Sequence, residues 1–166
     1  MAISTVPGGA AGPANFQLRT ILAPLTAIIV GAFMVMLDST AMNVTLPNLV
    51  SSLHSTLSML QWAITGYALA QAAVIPLAGW LSDRFGAKRI LLLAVALFTA
   101  GSALCAMAQS DSTLVIFRVL QGLGGGVVVP IGMAYTYRLS PPSKIGVVMG
   151  LMGIPIMLAP AVAPVV

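Results

Sequence analysis

Long apolar runs separated by short polar turns set the pattern of this chain. Five runs, bounded at 24–46, 60–81, 90–108, 113–136 and 145–166, each approach the ~20 residues that an α-helix needs to cross a bilayer. Apolar residues follow one another continuously within them, without the inside–outside alternation of a membrane strand. The pattern predicts an all-α transmembrane chain of about five spans. Residues 1–20, rich in Gly, Pro, Ala and Ser, are expected to form a disordered tail, and 21–166 the membrane domain. The first run is longer than the about 7–15 residues of a secretory h-region, so it is predicted to stay in the membrane.

Composition strengthens that reading. The chain is 59% apolar and only 6% charged, with a mean hydropathy of +1.05. A soluble domain carries about 25% charged residues, so this one has too few to cover a water-facing surface. The net charge of +4 is spread too thinly for a nucleic-acid footprint and bears on orientation instead. Arg19 precedes the first run, Arg84, Lys88 and Arg89 separate the second and third, and Arg138 and Lys144 separate the fourth and fifth. The opposite turns, 47–59 and 109–112, hold His54 and Asp111 but no Lys or Arg. Basic residues mark the cytoplasmic side, so the N-terminus is expected there, with His54 solvated outside.

Two charges interrupt the apolar runs. Asp38 lies in the first, and a carboxylate within a span costs on the order of 2.5–3.5 kcal/mol unless paired, protonated or hydrated. Met34, Asp38, Met42 and Thr45 follow helical steps and share a face predicted to look into the protein. A helix-fixing carboxylate is one reading of Asp38; a site for a proton, a cation or a substrate amine is the other. Arg118 lies in the fourth run, on one face with Gln121, Gly122 and Gly125. It either snorkels outward or turns inward. Both charges are expected in the outer half of the membrane, close enough to interact directly or through water. Coupling protonation to helix movement through that contact is one consequence.

The densest charge cluster is the turn Gly79-Trp80-Leu81-Ser82-Asp83-Arg84-Phe85-Gly86-Ala87-Lys88-Arg89. Asp83 is expected to meet Arg84 or Lys88 locally, or to accept from the start of another helix. Lys88 and Arg89 suit bilayer anchoring. Small residues mark the packing faces: Gly122 with Gly126, Gly146 with Gly150, and Ala159 with Ala163. Pro155, Pro160 and Pro164 favour bends in the fifth run. Trp62, Tyr67, Trp80, Tyr135 and Tyr137 suit the bilayer interface. Tyr67 and Gln71 share a face and, with Met34, Met42 and Gln121, are candidate substrate contacts. The ten methionines suit either a tolerant binding surface or ordinary apolar filling.

Enzyme chemistry finds little support. Cys105 is alone in an apolar run, so neither a disulfide framework nor a thiolate metal site is expected. No nucleophile–base pair, metal cluster or cofactor site is read. The glycines at 122–126 lie inside a membrane helix, without the strand–turn–helix setting of a phosphate loop.

These motifs together resemble the N-terminal part of a major facilitator superfamily drug:proton antiporter of the fourteen-span multidrug efflux branch. The first-helix pattern is matched by Leu37, Asp38, Thr40, Asn43, Val44 and Pro47. The loop pattern is matched by Gly79, Leu81, Asp83, Arg84, Gly86, Lys88 and Arg89. The fourth-helix pattern is matched by Arg118, Gln121, Gly122 and Gly124, and the antiporter pattern of the fifth helix by Gly150, Pro160 and Pro164. The chain departs from the family at Ala87, where a basic residue often stands, and at Ala163, where glycine usually precedes Pro164.

The resemblance implies two six-helix halves, the first incomplete here, and alternating access. It further implies proton-driven export of drugs or other amphipathic small molecules from a bacterial inner membrane, giving antibiotic resistance. It assigns proton coupling to Asp38 and Arg118, and an inside–outside switch to Gly79, Asp83, Arg84 and Gly86. The expected partners are the lipid bilayer, a small amphipathic substrate, protons and a C-terminal part of the transporter, with no nucleic acid and no cofactor. A metabolite exporter of the same superfamily, or a truncated fragment without transport activity, are the alternatives.

Overall fold

The computed structural model describes residues 18–140 and 145–162, with side chains left undescribed for 18–24 and at scattered positions from 139 onward. The described residues form five helices and no strand: α1 Leu18–Ser52, α2 Leu57–Phe85, α3 Ala87–Ala106, α4 Asp111–Leu139 and α5 Ile145–Val162. The first four carry stretches long and apolar enough to cross a membrane. The all-α transmembrane expectation therefore holds. Most of residues 1–20, and Lys144 and Pro164, lie outside the described residues; Leu18, Arg19 and Thr20 belong to α1 rather than to a tail.

The helix ends differ from the expected ones for local reasons. Pro47 does not stop α1, which runs to Ser52. A proline removes one i→i−4 bond, but the helix resumes. Ser51 Oγ then donates to Asn48 O (2.8 Å) and Ser52 Oγ to Leu49 O (3.4 Å) in the last turn, where Leu53 N also closes on Leu49 O (3.0 Å). α2 starts three residues earlier than expected because Thr56 caps it, its hydroxyl accepting from Met59 N (3.3 Å). α4 starts at a capping box in which Ser110 and Thr113 satisfy each other's backbone N–H groups. α2 and α3 share one residue as their junction. Gly86 has φ +90°, a backbone region that side-chain-bearing residues rarely adopt, and its N–H closes α2 on Ser82 O (2.9 Å).

α4 is the central helix, packed chiefly against α2 and α3, while α1 rests on α5, α4 and α2. Glycines permit the closest approaches. A Cβ at Gly122 would meet Tyr67 O at 2.5 Å, and one at Gly126 would meet Gln71 Cα and O at 2.7 Å, so these two seat α4 on the backbone of α2. Gly124 does the same against α3, at 2.6 Å from Phe98 N, and Gly101 receives Gln121 Cβ at 2.7 Å in return. Gly146 and Gly150 have nothing within 4 Å of a Cβ among the described residues.

Two apolar clusters result. The larger joins Ile28, Val35, Phe98, Val128 and Ile131 with Tyr67. The smaller joins Met42, Leu60, Ala63 and Leu114 near the end of the bundle that holds His54 and Asp111. Ser55 donates to Asp111 Oδ2 there (2.7 Å), tying the α1–α2 turn to the start of α4.

Candidate functional site

Between the two apolar clusters lies a polar layer. Along α1 it falls between Val35 of the larger and Met42 of the smaller; along α4 it falls between Leu114 and Val127. Arg118 Nη1 donates to Asp38 Oδ2 at 2.7 Å. The same nitrogen donates to Gln121 Oε1 at 2.9 Å, and Gln121 Nε2 donates to Asp38 Oδ1 at 2.8 Å. The three side chains close a ring in which both carboxylate oxygens are engaged. The Tyr67 ring lies against the guanidinium, with Arg118 Cζ 4.3 Å from its centroid. Cys105 Sγ reaches Gln121 Oε1 at 3.5 Å.

The local causes are readable. Arg118 and Gln121 lie three residues apart on α4 and so share a face. Gly122 lets α2 come close enough to set Tyr67 beneath that face. Arg118 is 3% exposed and Gln121 fully buried, so neither snorkels to water. Charged groups taken out of water need paired and hydrogen-bonded partners, and Asp38 is the partner at hand. The attachment is one-handed: Arg118 Nη1 makes both bonds, while Nε is buried without a partner.

The five candidate substrate contacts do not gather in one place. Gln121 belongs to the ring and Tyr67 lies beneath Arg118, 4% exposed, not at the bilayer interface. Met42 fills the smaller apolar cluster. Met34 borders a cleft of about 370 Å³ between α1 and α3. Gln71 borders another, of about 330 Å³, between α1, α2 and α4. The predicted inward face of α1 is mixed: Met42 is buried, Asp38 half-buried, and Met34 and Thr45 exposed.

In the turn cluster, Asp83 meets neither Arg84 nor Lys88. Its partner is Arg138 at the end of α4, with Arg138 Nη2 donating to Asp83 Oδ1 at 3.2 Å. Arg84 instead lies over the rings of Trp80 (5.7 Å) and Phe85 (5.9 Å). Lys88 and Arg89 are exposed, and a Cβ at Gly79 would meet nothing within 4 Å. The Asp83–Arg138 contact places the basic turns 84–89 and 138–140 at one end of the bundle. Pro160 lies in α5 with its side chain undescribed, as does Pro155.

Sequence reasoning did not find Arg138 as the partner of Asp83, nor Tyr67 as the platform for Arg118. The first pairs residues 55 apart across an exposed surface, which no local spacing signals. The second carried a signal: Tyr67 lies one helical turn before Gln71 on the α2 face that a glycine-rich helix would approach.

Comparison with known proteins gives the family. The Major Facilitator Superfamily model matches residues 28–166. The multidrug resistance protein B homolog of Mycobacterium tuberculosis is 42% identical over 137 residues, covering 82% of this chain and 25% of that protein. The multidrug export protein EmrB of Haemophilus influenzae is 37% identical over 139 residues, covering 84% and 27%. The putative multidrug resistance protein MdtD of Yersinia enterocolitica is 37% identical over 144 residues, covering 87% and 31%. The chain spans about a quarter to a third of the length of these relatives. With an all-helical membrane architecture and a family match along five-sixths of its length, the chain belongs to the Major Facilitator Superfamily.

Proposed function

We propose that this chain forms the N-terminal part of a proton-coupled exporter of drugs or other amphipathic small molecules, working by alternating access. The observation that carries the reading is the Asp38–Arg118–Gln121 ring. Protonation of Asp38 would remove its charge and with it the charge–charge attraction to Arg118. A proton arriving at Asp38 would therefore loosen α1 from α4, and its departure would draw them together. The one-handed attachment of Arg118 suits a contact that must open. The printed names of the relatives, which describe multidrug resistance and export, support the cargo class. Such a chain is a transporter rather than an enzyme and needs no cofactor.

In this reading the Asp83–Arg138 pair, with Gly79 and Gly86, serves the inside–outside switch at the cytoplasmic ends of α2 and α4. Arg84, Lys88 and Arg89 add anchoring charge, and the basic end supports an N-terminus in the cytoplasm of a bacterium. Gly146 and Gly150, open among the described residues, offer α5 a thin face for a further helix.

The test is drug-stimulated proton movement in proteoliposomes of the intact transporter carrying Asp38→Asn or Arg118→Ala. Loss of coupling in both, with protein still inserted, is expected. Unchanged coupling in both overturns the reading.

A further inference from the structure

Gln121 is the one member of the ring that a half-turn of its side chain would set the wrong way round. A carboxamide presents an acceptor on one side and donors on the other. The guanidinium offers donors only and the ionised carboxylate acceptors only. Oε1 must therefore face Arg118 (2.9 Å) and Nε2 must face Asp38 (2.8 Å). Half of that demand depends on the charge of Asp38. A protonated carboxyl can donate as well as accept, so one of the two constraints on the carboxamide then falls away.

A further group bears on the same amide from α3, which contributes no member of the ring. Cys105 Sγ donates to Gln121 Oε1 at 3.5 Å. One turn earlier on the same face of α3, Gly101 receives the stem of Gln121. A Cβ at Gly101 would meet Gln121 Cβ at 2.7 Å and Cα at 2.8 Å. α3 thus holds this residue at two points, backbone against stem and thiol against head. Gln121 is fully buried, so bulk water does not compete for Oε1. The other charged and titratable groups around Asp38 are few. Arg118 comes from α4, Tyr67 from α2 and Cys105 from α3, and α5 carries none. The hydrogen bond of Cys105 reaches Asp38 only through Gln121.

We propose that Cys105 is a positioning residue of the ring: its thiol keeps the Gln121 carboxamide turned so that Nε2 is presented to Asp38, and so sets how tightly Asp38 holds a proton. With Asp38 protonated, the thiol and Arg118 keep Oε1 in place, and Nε2 is already aimed when the proton leaves. Without the thiol the carboxamide is freer, chiefly in the protonated state. The ionised state also loses part of the donation from Nε2. Both effects favour the protonated carboxyl. The use of this in transport rests on the coupling reading above; the positioning itself does not.

The chain has one thiol and three acidic side chains, so infrared spectra of the full chain in lipid nanodiscs can be assigned to single residues. The S–H stretch lies at lower frequency when the thiol donates. It should rise in Gln121→Leu, which removes the acceptor and keeps the size. The carboxylic-acid band that Asp38→Asn removes is then followed against pH. Cys105→Val, close in size but without a donor, should make Asp38 hold its proton about two- to fivefold more tightly, as one weak S–H···O bond implies. Cys105→Ala should do the same, and Cys105→Ser, which keeps a donor, should lie nearer the wild type than either. An S–H band unmoved in Gln121→Leu, a wild-type titration in Cys105→Val, or a change in Cys105→Ala that Cys105→Val restores each overturns the proposal; the last is the mark of simple packing. If Gln121→Leu fails to insert, the three Cys105 variants decide. A shifted titration in a chain whose transporter moves no protons keeps the positioning role and removes the export reading; coupled transport with an unmoved titration does the reverse.

Discussion

Among the described residues two ion pairs join α4 to its neighbours, and they differ in almost everything but their chemistry. Asp38–Arg118 is 2.7 Å long, with side chains 20% and 4% exposed, and lies between two apolar clusters. Asp83–Arg138 is 3.2 Å long, with side chains 69% and 66% exposed, at the end of the bundle. Water screens the second pair, and such contacts contribute about 0–1 kcal/mol. The first has exchanged water for a closed set of partners, so neither member can be left behind cheaply. The lesson concerns what each pair is able to do. An exposed pair can open and close with little change in stability, which suits a switch. A buried pair has consequences for the whole bundle whenever its charge changes, which suits coupling.

Removing one member of the buried pair should break this contrast most visibly. Arg118→Ala strands a carboxylate mid-helix and is expected to cost about 3–5 kcal/mol. It would be read as a lower unfolding temperature in detergent and weaker membrane insertion. Asp38→Asn keeps the shape and an acceptor for Arg118 but leaves that buried guanidinium without a counter-charge, so a loss of similar order is expected. Wild-type stability in either variant would show that packing, not charge, governs the site. Next in size are the glycines that hold the layer together. Gly122→Val and Gly126→Val should each cost on the order of 1–3 kcal/mol by overpacking against α2. Gly150→Val, with nothing within 4 Å among the described residues, serves as the matched control and should leave detergent stability unchanged.

Tyr67→Leu comes third. Loss of a ring against a desolvated guanidinium is worth on the order of 2 kcal/mol, whereas Tyr67→Phe should keep that contribution. Comparable melting curves for the two would remove the platform role. Smallest is Asp83→Asn, expected to shift stability by less than about 1 kcal/mol. In the intact transporter it should nonetheless impair transport strongly. Wild-type transport in Asp83→Asn would leave the exposed pair without a switching role.

Much of the architecture is legible in the sequence because the bilayer imposes it. Continuous apolar runs of span length have few structural alternatives, so helix existence and order follow directly. The ends are less legible, since they depend on single groups. Thr56 and Ser110 cap their helices, and α1 runs on past Pro47 to Ser52. The Asp38–Arg118 contact is foreseeable because two isolated charges in an apolar medium have few other ways to be satisfied. Asp83 illustrates the opposite case: at a wet surface several cations could meet it, and only the lateral packing of α2 on α4 selects Arg138. Clefts are the least legible feature. Met34 and Gln71 each border one, but which side chains share a cleft is set by how closely glycines let the backbones approach. The spread of the five candidate substrate contacts follows from this.

The single residue between α2 and α3 has a mechanical meaning. Gly86 ends one helix and begins the next, so Phe85 and Ala87 are two Cα–Cα steps apart, no more than about 7.6 Å. A longer turn would absorb motion as slack, whereas a one-residue elbow transmits it. Any rotation of α2 that follows the Asp83 end must swing the base of α3 with it. Because α3 and α2 both bear on α4 through its glycines, that swing becomes a load on the helix carrying Arg118. The exposed end and the buried layer are thus joined by a short lever whose fulcrum has a backbone that favours glycine.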